Sequence, residues 1–286
     1  MRSAGQRARA RAPAQAGTPA WRDAYNVAVS IFRMRSAVLG IGVLAVCARL
    51  PAAALDEPAS AAPAPRLFTA VYTLEWHGLT AGYSTLSLTE PMPGRYVYMS
   101  VSRARGLVRL VFPEPISERS TFRIENGRVV PLEYQEDDGA SRHNQNVALK
   151  FDWNAREVRG IAGTKSVQQP LEKGTQDPMS VQIALMRELA AGRSPTHFLL
   201  FDKTETAEYH YTREGNVALD TALGRYDTIV YRSDRPDSDR VMRFWLAPTL
   251  GFLPVQAERR RRGKKEFELY IRKLTPQADM VSPPQT

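Results

Sequence analysis

Cysteine is nearly missing from this chain, with Cys47 the only one in 286 residues. Because Cys47 lies in a leader segment, the rest of the chain is barred from disulfides, thiolate metal ligation and cysteine nucleophiles. Histidine is almost as scarce. His77, His143, His197 and His210 are scattered, with no His-Glu-x-x-His pairing that would seat zinc. No Gly-x-Ser-x-Gly elbow, phosphate-cradling glycine loop or dinucleotide fingerprint occurs. The sequence therefore assigns no catalytic, cofactor-binding or metal-binding residue. A binding or structural role is favoured over an enzyme, although a site assembled across strands would leave no linear trace.

An excess of acidic residues is also absent. The net charge is +9, but residues 1–54 hold eight arginines and a single acid, Asp23. The remainder carries 31 basic against 29 acidic residues, a net charge of +2. The basicity thus belongs to the leader, and a nucleic-acid function loses its main support.

The leader has three readable parts. Residues 1–33 are rich in Ala, Arg and Pro and are read as a mis-assigned N-terminal extension, with translation expected to begin at Met34. Residues 34–54 read as a signal peptide: Arg35, the apolar run Ala37–Ala48, Pro51, then small residues at 52–54. The apolar run is too short to cross a bilayer comfortably. Cleavage is expected after about Ala54, giving a periplasmic protein with no transmembrane segment in its mature form. An uncleaved anchor is the rival reading. Leu44-Ala45-Val46-Cys47 approximates a lipid-attachment box, but Val46 stands where Gly, Ala or Ser is normally required.

Residues 55–66 are Pro/Ala-rich and read as a linker, and 275–286 as a flexible tail. Between them, 67–274 reads as a single β-rich domain. Alternation places Tyr72, Leu74 and Trp76 on one strand face. Val97, Met99 and Val101 share another, as do Val147, Leu149 and Phe151, and again Phe267, Leu269 and Ile271. Turn chemistry falls between these runs: Gly78 and Gly82, Pro93-Gly94, Asn126-Gly127, Asp138-Gly139, Asp152-Trp153-Asn154, Glu214-Gly215-Asn216 and Arg262-Gly263.

One segment follows helical spacing instead. Asp177 suits an N-cap, Pro178 the first turn and Gly192 the C-terminal stop, predicting a helix near 178–191 with Gln182, Arg187 and Glu188 facing away from the core. The expected fold is all-β and mainly antiparallel. Two meanders, roughly 67–172 and 196–274, form a curved sheet or an open half barrel with one inserted helix.

Two charged runs merit weighing. Asp234 to Arg240 loosely matches a calcium loop but lacks its glycine and terminal glutamate, and two arginines oppose a cation. Arg259, Arg260, Arg261, Arg262, Lys264 and Lys265 form the densest positive run. They read as a charged hairpin end, or as a contact for an anionic surface.

The segments 72–82 (YTLEWHGLTAG), 176–180 (QDPMS), 221–227 (TALGRYD) and 245–255 (WLAPTLGFLPV) resemble the domain of unknown function 3108 family. The resemblance implies a β-rich exported protein of Gram-negative bacteria and supplies no catalytic residues. The expected partners are a lipid or other apolar small molecule, held where a curved sheet is hollow, or an envelope protein. A structural or assembly role in the cell envelope is the alternative. A concave face filled by its own side chains would count against a carrier.

Overall fold

The computed structural model describes residues 64–110, 112–139 and 145–277. The leader, most of the linker and the end of the tail fall outside the described residues, as does His143.

The first meander comprises β1 (Phe68–Trp76), β2 (Leu79–Met92), β3 (Arg95–Ala104), β4 (Ile116–Glu125), β5 (Arg128–Asp137), β6 (Val147–Asp152), β7 (Glu157–Ala162) and β8 (Lys165–Pro170). A helix, α1 (Ser180–Ala190), follows. The second meander runs through β9 (His197–Asp202), β10 (Glu205–Thr221), β11 (Gly224–Asp234), β12 (Arg240–Ala247), β13 (Leu253–Arg261) and β14 (Lys264–Pro276). β1 pairs antiparallel with β14, so the two meanders make one 14-stranded sheet with β8 and β9 at its edges. The sheet is not closed. The segment between β8 and α1 narrows the gap, Gln176 N–H donating to the Leu199 carbonyl and Phe201 N–H to the Gln176 carbonyl, both at 2.8 Å.

The helix lies against the concave face and explains which residues the strands turn inward. Tyr72, Leu74, Leu149, Phe151, Phe267, Leu269 and Ile271 are buried, as the alternation predicts. In β3 Val97, Met99 and Val101 do share a face, but only Val97 of the three is buried. Tyr98, Ser100 and Ser102 are buried, while Met99 and Val101, on the opposite parity, are less so. The buried serines satisfy one another, the Ser102 hydroxyl donating to Ser84 Oγ at 3.1 Å and Ser84 and Ser100 sharing a bond of 3.3 Å, and hydropathy alone does not reveal that cluster. The helix itself is buried nearly all round, Gln182 and Arg187 included. The expectation that these two face outward is therefore corrected: a helix enclosed by a curved sheet has little solvent face.

Its ends follow the sequence closely. The Asp177 carboxylate accepts from the Met179 and Ser180 amides at 2.8 and 2.7 Å, which is an N-cap. At the other end Gly192 takes φ 73°, its N–H donating to the Leu189 carbonyl while Arg193 N–H donates to Glu188. This is a Schellman closure.

Two glycines assigned to reversals sit inside strands instead. Gly215 lies at a bulge in β10, with φ 138°, and the strand continues to Thr221. Gly82 lies in β2, where a Cβ would come within 2.2 Å of the Arg103 carbonyl oxygen on β3. Gly82→Ala is therefore expected to force the two strands apart and cost about 2–3 kcal/mol. Gly94→Ala meets no neighbour within 4 Å, and should cost only about 1 kcal/mol for its left-handed backbone. Urea unfolding of the two variants checks the order.

Candidate functional site

A carrier of this shape would need a hollow lumen, and this lumen is filled. Met179, just before α1, and Ile183 and Leu185 within it pack with Phe122, Tyr134, Phe201 and Leu269 in one continuous core. The cavity left between Tyr72, Ser100, Met179, Gln182 and Phe244 measures about 20 Å³, room for one water.

The QDPMS segment fixes the helix in place. Asp177 is fully buried. Besides its two amide bonds it accepts from the Ser120 hydroxyl of β4 at 2.5 Å, and its own N–H donates to Ser180 Oγ at 2.9 Å. Gln176 Nε2 donates to the Val129 carbonyl of β5 at 3.0 Å. Burial pushes the Asp177 carboxyl up to about 6, against the opposing pull of Ser120, Ser180 and Met179. A buried acid so perturbed invites a catalytic reading. Its bonds instead close on the helix and on β4, which is the work of a clamp.

Charge also enters the interior. Glu118 and Glu136 face one another across β4 and β5, and the Tyr134 hydroxyl donates to Glu118 at 3.1 Å. Asp138, Arg240 and Arg259 are buried as well. Among the described residues, no group of three or more His, Cys, Asp or Glu is placed to hold a metal ion. The stretch 234–240 is tied up by Arg235, which pairs with Asp237 and, at 3.3 Å, with Glu205.

The basic run of β13 and β14 is brought to one hairpin but dispersed over its faces. Arg259 is 2% exposed, paired with Glu266 at 2.8 Å and lying over the Phe267 ring at 4.7 Å. Arg260 joins an outward ladder in which Arg243 links Glu214 and Glu258, and Arg260 bonds Glu258 at 2.8 Å. Burial would raise the Glu258 pKa, yet the two guanidiniums outweigh it and hold it below the usual range. Arg261 and Arg262 both pair with Asp239, and Lys265 with Glu268 at 2.6 Å. Lys264 is exposed and makes no ion pair among the described residues.

An apolar open space lies at one end of the half barrel. A groove of about 500 Å³ is bounded by Phe68, Leu88, Ile183, Met186, Phe252 and Leu274, with Arg66 and Arg187 also lining it. Its floor is α1, and its far wall is the turn between β12 and β13. In that turn Gly251 and Phe252 are both left-handed, at φ 67° and 63°. A bulky residue there is strained by roughly 1–3 kcal/mol. The strain places an aromatic ring on the groove. Sequence reasoning missed this site. Its signal was the PTLGF stretch, where an aromatic follows the turn glycine.

These features define a class: an antiparallel half barrel plugged by its own helix, with an apolar groove at one mouth. The chain belongs to the family described as protein of unknown function (DUF3108), whose model matches residues 71–263. Among solved structures it is similar to the beta-barrel-like protein of domain of unknown function DUF1849 from Brucella abortus. The identity is 12% and the TM-score 0.48, over 74% of this chain and 98% of that one. A protein with a YmcC-like fold from Bacteroides fragilis is similar at 9% identity and a TM-score of 0.35, covering 74% and 97% of the two chains. The MucA/MucB complex of Pseudomonas aeruginosa gives 12% and 0.34, over 74% of this chain and 52% of that one. No curated protein matches the sequence. No helix among the described residues is long and apolar enough to cross a membrane.

Proposed function

We propose that this is an exported, non-enzymatic binding protein of the bacterial envelope that holds a hydrophobic molecule in the end groove. The groove carries the reading: about 500 Å³ of open space with a largely apolar wall, beside a lumen that is otherwise packed solid. That volume falls within the range of small-molecule sites. The export part rests on the signal sequence at 34–54. The carrier reading thereby moves from the concave face, where the curved sheet first suggested it, to the mouth.

Met186 is half-buried on the groove side of α1, so Met186→Trp fills space without disturbing the clamp at Asp177. Titration of the purified protein with monopalmitoylglycerol, followed by calorimetry, should show saturable one-to-one binding. Met186→Trp should weaken it at least about tenfold. Absence of saturable binding, or an unchanged affinity in the variant, overturns the proposal.

A further inference from the structure

At the mouth opposite the groove, apolar side chains stand out into water with cations among them. β1 joins the two ends: Phe68 lines the groove, and Trp76, at the strand's far end, pairs with Leu79 across the first turn. Beyond β3 the chain makes a single 3₁₀ turn, Gly106–Leu110. It is held by Arg105 N–H, which donates to the Ala81 carbonyl at 2.8 Å, and by Val108, which packs on the small cluster of Phe112 and Ile116. Three residues per turn set positions three apart side by side. With Val108 turned inward, Leu107 and Leu110 share the outer edge and are 82% and 81% exposed. Leu79, on the neighbouring turn, is 71% exposed. Single exposed leucines are ordinary on a protein surface, but a pair at the tip of one turn with a third on the next makes a patch.

The charge around this patch has one sign. Arg103, Arg105 and Arg109 are exposed and form no ion pair among the described residues. The Arg105 guanidinium lies over the exposed Tyr83 ring at 5.1 Å and donates to its hydroxyl at 2.7 Å. In the sheet order, β14 and β13 follow β1, so their turn comes next on the same rim, with His77 N–H donating to the Glu266 carbonyl at 3.2 Å. That turn adds exposed Arg262 and Lys264, and the acid beside it, Asp239, is shared between Arg261 and Arg262.

We infer that this rim docks the protein on an anionic phospholipid bilayer, with Leu107 and Leu110 entering the acyl boundary and the arginines meeting headgroup phosphates. Burying the leucines explains their exposure in the free protein, and cations with so few acids among them select a negatively charged surface. A tyrosine capped by a guanidinium suits the level of the headgroups, where amphipathic rings collect. Because the groove lies at the other end of β1, the docked protein turns it away from the bilayer, and the inference stands apart from the groove reading.

The test is flotation of the protein, recovered from its host cells, with vesicles of two compositions. Vesicles of phosphatidylethanolamine and phosphatidylglycerol should bind at least about tenfold more tightly than vesicles of phosphatidylcholine at low salt. The difference should shrink as salt rises, because exposed charges are screened. Leu107→Asp/Leu110→Asp should weaken binding at least about tenfold and leave the melting temperature unchanged, since both side chains are exposed. Arg103→Glu/Arg109→Glu should abolish the preference for the anionic vesicles. Met186→Trp, at the other mouth, should bind vesicles as the wild type does. Equal binding to the two vesicle types, no binding to either, or binding that survives the leucine variant overturns the inference while leaving the groove reading intact. Loss of vesicle binding in Met186→Trp but not in the leucine variant overturns it too, since the groove is then extracting lipid. Absence of vesicle binding, with a photoreactive residue at position 107 cross-linking to an envelope protein in cells, would assign the patch to a protein partner instead.

Discussion

Asp177→Ala is expected to destabilise the domain by about 3 kcal/mol at neutral pH, because three buried donors lose their acceptor at once. They are the Ser120 hydroxyl and the Met179 and Ser180 amides. An unmet buried donor costs about 1–3 kcal/mol, and a lost N-cap about 1 kcal/mol. Against this, the alanine variant no longer buries a carboxylate. Burial raises that group from its ordinary 3.8 to about 6. At about 1.4 kcal/mol per pH unit the ionised form is penalised by roughly 3 kcal/mol. The donors win because they are three. The same shift fixes a pH dependence. A carboxyl whose folded pKa lies above its unfolded one favours the fold when protonated. Its contribution is fully present below about pH 4 and is lost as pH rises through about 6. Asp177→Asn keeps an acceptor for the two amides and cannot ionise. The stability of the wild type relative to Asp177→Asn should therefore fall by about 3 kcal/mol between pH 4 and pH 7 in urea titrations. A difference that does not move with pH would contradict the burial of this group.

Arg259→Ala should cost about 3–5 kcal/mol, whereas Arg262→Ala, three residues on, should stay within about 0.5 kcal/mol. Both arginines belong to the same basic run, but the strand turns only one inward. Arg259 stands opposite Met242 and Phe267 in the sheet, and burial pulls its pKa down to about 10 despite the pull of Glu266. Its removal strands the Glu266 carboxylate, whose side chain is 14% exposed, and empties the space over the Phe267 ring. Arg262 keeps 77% of its side chain in water, where its pair with Asp239 is screened and worth little. Equal losses in the two variants, measured by thermal unfolding, would show that the run acts as one surface patch.

The contrast between these arginines shows what a linear reading reaches. Strands announce themselves by alternation when core and solvent divide cleanly, as for Phe267, Leu269 and Ile271, and I′-type turns by glycine pairs such as Asn126-Gly127. The helix was legible because its caps are local chemistry at Asp177 and Gly192. What failed was everything set by contacts between separate elements. Ser100 and Ser102 are buried beside Ser84, whose hydroxyl they share across β2 and β3, and Gln182 and Arg187 are buried because the sheet wraps them. The β1–β14 pairing joins residues about two hundred positions apart, and nothing nearby in sequence marks that neighbour. The groove was invisible for the same reason. Phe68, Ile183, Phe252 and Leu274 come from four separate elements, and each alone reads as ordinary core.

Native mass spectrometry of the protein recovered from its host cells, with lipid extraction of the same sample, tests the central claim most directly. The account predicts one co-purifying apolar or amphiphilic molecule per chain, absent or much reduced in Met186→Trp. Protein at its bare chain mass under the same gentle conditions, with no lipid in the extract, would contradict a carrier function for the groove.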